Sequence, residues 1–158
     1  MKKILVLLTA ILVVLSFTLA LESAIPKLRS APPRWEVLCD DATATVYHAV
    51  PAQCNADVIH TASMFTIDPE TAGEYHIVAM ERTMMAQYGI AYGDTIRVEG
   101  TDVMDGLWRV EDTMNRRYAN QHHIDFLVDR TTTSGKWNNV RIYRKTKSKT
   151  YRPRRMTI

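Results

Sequence analysis

Short runs of residues typical of β-strands recur along this 158-residue chain, and a single segment has the pattern of a helix. These runs are rich in Val, Ile, Thr and aromatic residues and are bounded by Gly, Pro or Asp, as strands usually are. The sequence predicts strands at residues 43–50, 59–67, 75–80, 95–99, 107–111, 124–128 and 139–144, and one short helix at residues 81–88. Because no helical crossovers alternate with these strands, we expect an all-β fold, a small closed β-barrel with one short helix.

The N-terminus has the composition of an export signal. Lys2 and Lys3 precede an apolar run at residues 4–21, which is typical of a signal peptide. A run of this length also suits a single membrane-spanning helix. We therefore expect residues 1–21 to be a signal peptide or an N-terminal membrane anchor, and the rest of the protein to be exported, either periplasmic or secreted.

Charge is divided unevenly along the chain. Residues 31–135 carry seven basic and sixteen acidic side chains, whereas from Lys136 onward there are nine basic and no acidic ones. Composition predicts a linker at 22–34, a folded domain at 35–144 and a disordered basic tail at 145–158. Such a tail suits anionic wall polymers or a membrane surface, or it merely increases solubility. For an exported chain we expect no nucleic-acid partner.

Three aspartates stand in or beside three consecutive predicted strands. Asp94 precedes the first, Asp112 follows the second and Asp125 lies inside the third. Because side chains alternate along a strand, each carboxylate is expected on a face that also carries apolar residues, which for Asp112 are Trp108 and Val110. Carboxylates are costly there unless they are hydrogen-bonded, paired or beside a polar cleft. The three aspartates therefore predict a site at the rim of the core, although each alone also suits a turn.

Two cysteines, Cys39 and Cys54, are separated by 15 positions. In an exported chain they are candidates for a disulfide, which would stabilise the fold by about 3 kcal/mol through loop closure. Two unpaired thiols are the alternative, because sequence alone does not establish pairing.

The adjacent His122 and His123 raise the question of a metal site. On a strand only His123 shares a face with Asp125. Further ligands would have to come from the scattered histidines His48, His60 or His76. Because none of these spacings is typical of zinc sites, we expect histidines on the surface or in the groove, with no metal and no other cofactor.

The residues around the three aspartates resemble the three-aspartate (3D) domain family. In the family's order, the runs that carry the resemblance are Gly93-Asp94-Thr95-Ile96-Arg97-Val98-Glu99-Gly100, Trp108-Arg109-Val110-Glu111-Asp112-Thr113 and Ile124-Asp125. The family's opening strand, its Thr-Ala-Ser turn and the strand before its short helix are similar to Ala44-Thr45-Val46-Tyr47, Thr61-Ala62-Ser63 and Ile77-Val78-Ala79. The family includes membrane-bound lytic transglycosylase A and the stationary-phase survival and resuscitation-type muralytic proteins. The resemblance covers about residues 43–144.

The chain departs from the family pattern at two places. The family continues from its second aspartate with Thr-Gly-Gly, whereas Thr113 is followed here by Met114-Asn115-Arg116. Ser63 is followed by Met64, where a glycine is common. The loop between the second and third aspartates is therefore expected to have a shape of its own.

The resemblance implies a six-stranded double-psi β-barrel with a groove for the glycan strands of peptidoglycan. It also implies cleavage of the MurNAc–GlcNAc bond with a 1,6-anhydro product, for which one carboxyl acts first as acid and then as base. Asp125 matches the family's third, catalytic aspartate and is expected to have a raised pKa, with Asp112 and Asp94 beside it. The groove positions of the family, which are candidates for contacts with sugar hydroxyls, match Tyr47, Thr61 and Ser63.

A barrel of this kind can also bind cell-wall glycan without cleaving it, as expansin-like relatives of the fold do. The surroundings of Asp125 distinguish the two functions. An open groove near Asp112, with no salt bridge from Arg116 or Arg117 to Asp125, favours catalysis. An arginine that neutralises Asp125 favours binding.

Overall fold

A computed structural model describes residues 33–146 of the chain. This part contains six strands, namely β1 (Trp35–His48), β2 (Ile77–Met80), β3 (Thr95–Glu99), β4 (Gly106–Thr113), β5 (His123–Val128) and β6 (Lys136–Lys145). One α-helix, α1 (Arg82–Tyr88), follows β2, and short 3-10 helices occur at Pro69–Tyr75 and Arg116–Tyr118. No helix in this part of the chain is long and apolar enough to cross a membrane. The predictions for residues 1–21, for most of the linker and for nearly all of the tail lie outside the described residues.

The six strands close into one barrel in the order β1-β5-β2-β4-β3-β6. The pairs β1·β5 and β2·β4 are parallel, and the other four pairs are antiparallel. If β1 is exchanged with β4, β2 with β5 and β3 with β6, every pair of neighbouring strands is again a pair of neighbours with the same relative direction. This internal twofold symmetry of the connections is that of a double-psi barrel, and the predicted all-β six-stranded barrel with a short helix is confirmed.

The predicted strand at residues 59–67 is wrong, whereas each of the other predicted strands overlaps a strand of the barrel. In this segment the structure has a single isolated bridge, between His60 and Thr66, and Met64 adopts a left-handed backbone with φ of 67°. The chain turns back on itself here instead of extending. The reason lies in the closed barrel, because each of its strands already has two neighbours and no edge remains for a seventh.

Two apolar layers follow from the alternation of side chains along the strands. Inward-facing residues such as Ile124 and Phe126 of β5 fill the barrel, together with Val78 of β2. Outward-facing residues of the same strands form a second cluster with residues of the long connection from β1 to β2. The members of this cluster include Tyr47, Ile67, Ala72, Ile77, Ala79, Met114 and Leu127. The connection thus covers part of the outer face of β1, β5 and β2, and the candidate site lies in this covered region.

The two cysteines lie in different layers and are both free, so the disulfide considered from the sequence is not present. Cys39 belongs to the barrel core and is 6% exposed. Cys54 lies in the outer layer, where its thiol donates to the carbonyl oxygen of His48 at 3.6 Å. Burial raises the pKa of the Cys39 thiol to about 11.

Candidate active site

Four residues form a row across the outer face of four adjacent strands. Thr45 of β1 is opposite Asp125 of β5, Asp125 is opposite Ala79 of β2, and Ala79 is opposite Asp112 of β4. Adjacent strands are about 4.8 Å apart, and β2 lies between the two aspartates, so their backbones are two spacings, or roughly 10 Å, apart. The small side chain of Ala79 leaves the space between them open.

A β-bulge turns Asp112 towards this row. Val78 pairs with Val110 and Ala79 pairs with Asp112, so Glu111 is an extra residue without a partner on β2. The bulge reverses the alternation after Val110, as such irregularities do. The predicted placement of Asp112 on the face of Val110 is therefore wrong, because Val110 points into the barrel while Asp112 lines the outer cavity.

The carboxylate of Asp112 accepts hydrogen bonds from three donors. One oxygen accepts hydrogen bonds from the backbone N–H groups of Ala62 and Thr113, at 3.0 and 2.8 Å. The other accepts from the hydroxyl of Tyr47 at 2.8 Å. Burial, followed by the negative charge of Asp112, raises the pKa of Tyr47 well above its usual range, so this hydroxyl stays a donor. Asp112 thus fixes the turn at Ala62 against β4 and β1.

Asp125 accepts fewer hydrogen bonds than Asp112, and its pKa is raised. The hydroxyl of Thr45 donates to its Oδ1 at 2.7 Å. Burial raises the pKa of Asp125 to about 6, and the negative charge of Asp112 acts in the same direction, whereas the Thr45 hydrogen bond opposes both. A carboxyl with this pKa exchanges its proton near neutral pH, which is what general acid–base catalysis requires.

Thr45 also connects Asp125 to a buried histidine. Its Oγ1 lies 3.1 Å from Nε2 of His123, whose ring packs edge-on against Tyr118 with centroids 4.8 Å apart. Burial lowers the pKa of His123, so the ring is neutral. Because the Thr45 hydroxyl has one proton and donates it to Asp125, Nε2–H of His123 is the donor to Thr45 while Asp125 is ionised.

Asp125 opens into a cavity of about 680 Å³ between the outer face of the barrel and the connection from β1 to β2. The polar residues around it include Thr45, Tyr47, Thr61, Asp112, Asn115 and Arg117. Within residues 33–146, Asp125 takes part in no salt bridge. The guanidinium of Arg117 lowers the pKa of Asp125 only as a minor influence and stacks on the ring of Tyr118 instead, 4.9 Å from its centroid.

The remaining predicted site residues are divided between the cavity and turns elsewhere. Asp94 is exposed, does not line the cavity and accepts from the N–H of Ala91 at 2.9 Å, so it closes a turn before β3. Tyr47 and Thr61 line the cavity, whereas Ser63 does not and bonds to the Thr61 hydroxyl at 3.0 Å. The structure brings together Asp112 and Asp125, and it places Asp94 apart from them.

Thr45, His123 and Tyr118 are site residues that the sequence-based prediction did not assign. Thr45 had a usable signal, because it stands two residues before Tyr47 on the same strand and therefore shares its face. His123 was considered as a metal ligand or as a surface or groove histidine, and its contact with Thr45 depends on the parallel pairing of β1 with β5. Tyr118 lies in the loop where the chain departs from the 3D pattern, and no sequence periodicity predicts its position.

Replacing Thr45 by valine is expected to raise the pKa of Asp125 further, because the hydrogen bond that stabilises the ionised carboxylate is lost. Hydrogen bonds to charged groups contribute about 1.5 kcal/mol or more, which moves the titration midpoint up by roughly one pH unit. Carbon NMR of the labelled carboxyl group measures this midpoint. Thr43→Val is the matched control, since the Thr43 hydroxyl donates to Asn138 instead. An unchanged midpoint in Thr45→Val would contradict the assigned role of Thr45.

No model of a known protein family matches the chain, and no curated protein matches it significantly.

Proposed function

We propose that this protein is a peptidoglycan lytic transglycosylase-like enzyme, related to the 3D-domain family, with Asp125 as its general acid and base. Its substrate would be the glycan strands of peptidoglycan, and the bond cleaved would be the MurNAc–GlcNAc linkage. The observation that carries the proposal is the state of Asp125. This carboxyl has a pKa of about 6 and opens into the cavity that Asp112 also lines, and no arginine among residues 33–146 forms a salt bridge with it.

The proposed reaction needs one carboxyl that acts twice. Protonated Asp125 gives its proton to the glycosidic oxygen as the bond from that oxygen to the anomeric carbon breaks. The Asp125 carboxylate then accepts the proton of the C6 hydroxyl while the C6 oxygen bonds to the anomeric carbon. The enzyme returns to its starting state, no water is consumed and the product carries a 1,6-anhydro ring.

The hydrogen bonds of Asp112 argue against the hydrolytic alternative. Common glycoside hydrolases use a second carboxyl as the nucleophile or as the base that activates water. Asp112 is the other carboxyl in the row, and all its donors are protein groups at 2.8–3.0 Å. A carboxylate held in this way is suited to fix the site and to raise the pKa of Asp125, and the sugar's own hydroxyl is left as the nucleophile.

The size of the cavity and two arginines on its lining, which also carries Asp57, Asp112 and Asp125, suit a glycan with acidic substituents near those arginines. A volume of about 680 Å³ lies in the range of sites that enclose small ligands. Arg82 and Arg117 stand at its border in a domain that is otherwise rich in acidic residues. Two cationic groups at this border suit the carboxylates that MurNAc and its peptides carry.

A second function, binding of cell-wall glycan without cleavage, is favoured by one observation. The Tyr118 ring lies at the cavity with the Arg117 guanidinium stacked on it, and a planar surface of this kind suits a sugar ring. Under this alternative the hydrogen bond from Thr45 would hold Asp125 as a fixed acceptor for sugar hydroxyls.

Digestion of purified peptidoglycan by the wild-type protein separates the two functions. The proposal predicts soluble muropeptides with anhydro ends, identified by mass. Protein that sediments with the insoluble glycan but releases nothing between pH 4 and 8 would support binding alone and would contradict the enzyme. The predicted roles of the export segment and the basic tail, which concern delivery to the wall and adhesion to anionic wall polymers or lipid, are separate from this test.

The rate is expected to fall as the pH rises through the pKa of Asp125. The reaction starts from protonated Asp125, and this form is lost above pH 6 because the pKa is about 6. The value of kcat/KM for a soluble glycan fragment should then fall roughly tenfold per pH unit. In the Thr45→Val variant this fall of kcat/KM should occur at higher pH. A rate that keeps increasing up to pH 8 would contradict Asp125 as the initial acid.

A further inference from the structure

A cluster of side chains that can bind a metal ion lies where β1 meets the residue before β5. Ligand atoms of Cys39, Asp41 and His122 all lie within 4.8 Å of one another. None of the three lines the cavity that contains Asp125. They are therefore candidates for a site of their own, independent of the proposed catalysis.

An irregularity in β1 brings these residues together. The pairing of β1 with β6 shifts register between Cys39 and Ala42, so the intervening residues leave the regular alternation. Directly after the irregularity, the N–H of Thr43 donates to the carbonyl oxygen of His122 at 2.7 Å. This bond fixes His122 beside the bulged segment of β1, and a bulge at such a position commonly re-aims a side chain.

Each nitrogen of the His122 ring has a defined neighbour. Nδ1 lies 2.7 Å from Oδ1 of Asp41, and Nε2 lies 3.4 Å from the hydroxyl of Tyr88. Nδ1 therefore faces the cluster, while Tyr88 occupies the position of the outer partner that orients metal-binding histidines. The Asp41 side chain is 67% exposed, so the cluster can be reached from solvent.

The sulfur of Cys39 completes the cluster from the protein side. The thiolate is the form of cysteine that binds a metal, so the thiol proton leaves to solvent when the ion binds. Cys54 lies apart from this cluster, and its thiol donates to a carbonyl oxygen.

We propose that Cys39, Asp41 and His122 form a binding site for a thiophilic divalent cation of the Zn²⁺ type, with the fourth position open to water. Thiolate, imidazole and carboxylate are the ligands that Zn²⁺ takes in proteins, and three protein ligands plus water is a common set. With bonds of about 2.0–2.3 Å, a tetrahedral ion holds its ligand atoms roughly 3.3–3.8 Å apart. The Asp41–His122 pair, now at 2.7 Å, has to open by roughly half an ångström, and the sulfur, which lies within 4.8 Å of both ligand atoms, has to reach this spacing. This site differs from the sequence-based expectation of no metal, because its ligands are distant in sequence.

A histidine–aspartate ion pair without metal function is the alternative, and the chain contains an example of one. Nδ1 of His60 lies 2.9 Å from Asp57, and no cysteine joins them. A bound ion at Cys39 would connect β1 to the start of β5 and stabilise the barrel, because a ligand that binds only the folded state raises its stability. The His60 pair has no such consequence and serves as a control.

Titration of the reduced, metal-free protein with Co²⁺ and Zn²⁺ tests the site. We expect one Co²⁺ per chain, with a visible spectrum of a tetrahedral ion and a sulfur-to-cobalt charge-transfer band that Zn²⁺ removes by displacement. Cys39→Ser should lose the charge-transfer band, and His122→Gln and Asp41→Asn should weaken binding by tenfold or more. Zn²⁺ should raise the thermal unfolding midpoint of the wild type but not that of these variants. Cys54→Ser and His60→Gln should behave like the wild type.

Three outcomes would overturn the site. They are a wild-type chain that binds no Co²⁺, a charge-transfer band that follows Cys54 instead of Cys39, and wild-type affinity in both Asp41→Asn and His122→Gln. The last two substitutions lie at partly exposed side chains, outside the barrel core, so they test the site even if Cys39→Ser fails to fold.

Discussion

Replacing Asp125 by asparagine is expected to abolish the release of anhydro-muropeptides from purified peptidoglycan, a loss of roughly a hundred- to ten-thousandfold in rate. The amide cannot donate a proton to the leaving oxygen or accept one from the C6 hydroxyl. Its shape is nearly that of the carboxyl, and its oxygen can still accept the hydrogen bond from Thr45. The loss is therefore chemical, and binding to the glycan should remain. The measurement is the initial rate of soluble muropeptide release at pH 5 and 7.

Asp94→Asn is the matched control, because it makes the same chemical change in a residue that the sequence assigned to the same site. Asp94 is exposed and its carboxylate only closes a turn through Ala91. We expect the activity of Asp94→Asn to stay within about twofold of the wild type, because surface changes outside such sites have small effects. Equal losses in the two variants, or an active Asp125→Asn variant, would contradict the assignment of Asp125.

The same Asp125→Asn variant is expected to be more stable than the wild type at neutral and alkaline pH. Burial raises the pKa of Asp125 from 3.8 to about 6, so the folded protein favours the protonated form. This contribution to stability is complete below pH 4 and is lost as the pH rises through 6, when the buried carboxyl ionises. A difference of about two pKa units corresponds to about 3 kcal/mol at most. Asparagine avoids this cost because it is never charged.

Urea unfolding at pH 4 and pH 8 measures this effect. The free energy of unfolding should be nearly equal for the two proteins at pH 4, and higher for Asp125→Asn by up to about 3 kcal/mol at pH 8. Asp94→Asn should produce no comparable difference between the two pH values. The test is the change of this stability difference between the two pH values, since a loss that is equal at both would come from packing or hydrogen bonding and not from charge. A stability difference that stays constant, or that moves against Asp125→Asn at pH 8, would contradict the raised pKa of Asp125.

Alternation along strands explains what could be predicted from the sequence. The segment 124–128 alternates without irregularity, so Asp125 and Leu127 share the outer face as expected while Ile124 and Phe126 fill the barrel. The raised pKa of Asp125 follows from that placement. The strand-like runs, the single helical segment and the lack of helical crossovers between strands were sufficient to predict a closed barrel with one short helix.

Irregular backbone and pairing between distant strands explain what could not be predicted. The bulge at Glu111 reverses the side on which Asp112 points, and nothing in the local sequence marks this extra residue. The contact of Thr45 with Asp125 requires β1 and β5 to be parallel neighbours, which is a property of the whole barrel. Asp94 has the right spacing from β3 but lies in the turn before it, where a carboxylate more readily caps backbone N–H groups.

Cleavage in water enriched in the heavy oxygen isotope tests the central claim most directly. If Asp125 transfers the proton of the C6 hydroxyl, the new glycan ends of wild-type digests are anhydro species. Their mass is lower by one water than that of hydrolysed ends, and they contain no heavy oxygen. New ends that carry heavy oxygen would show that water is the nucleophile and would contradict the single-carboxyl mechanism proposed for Asp125.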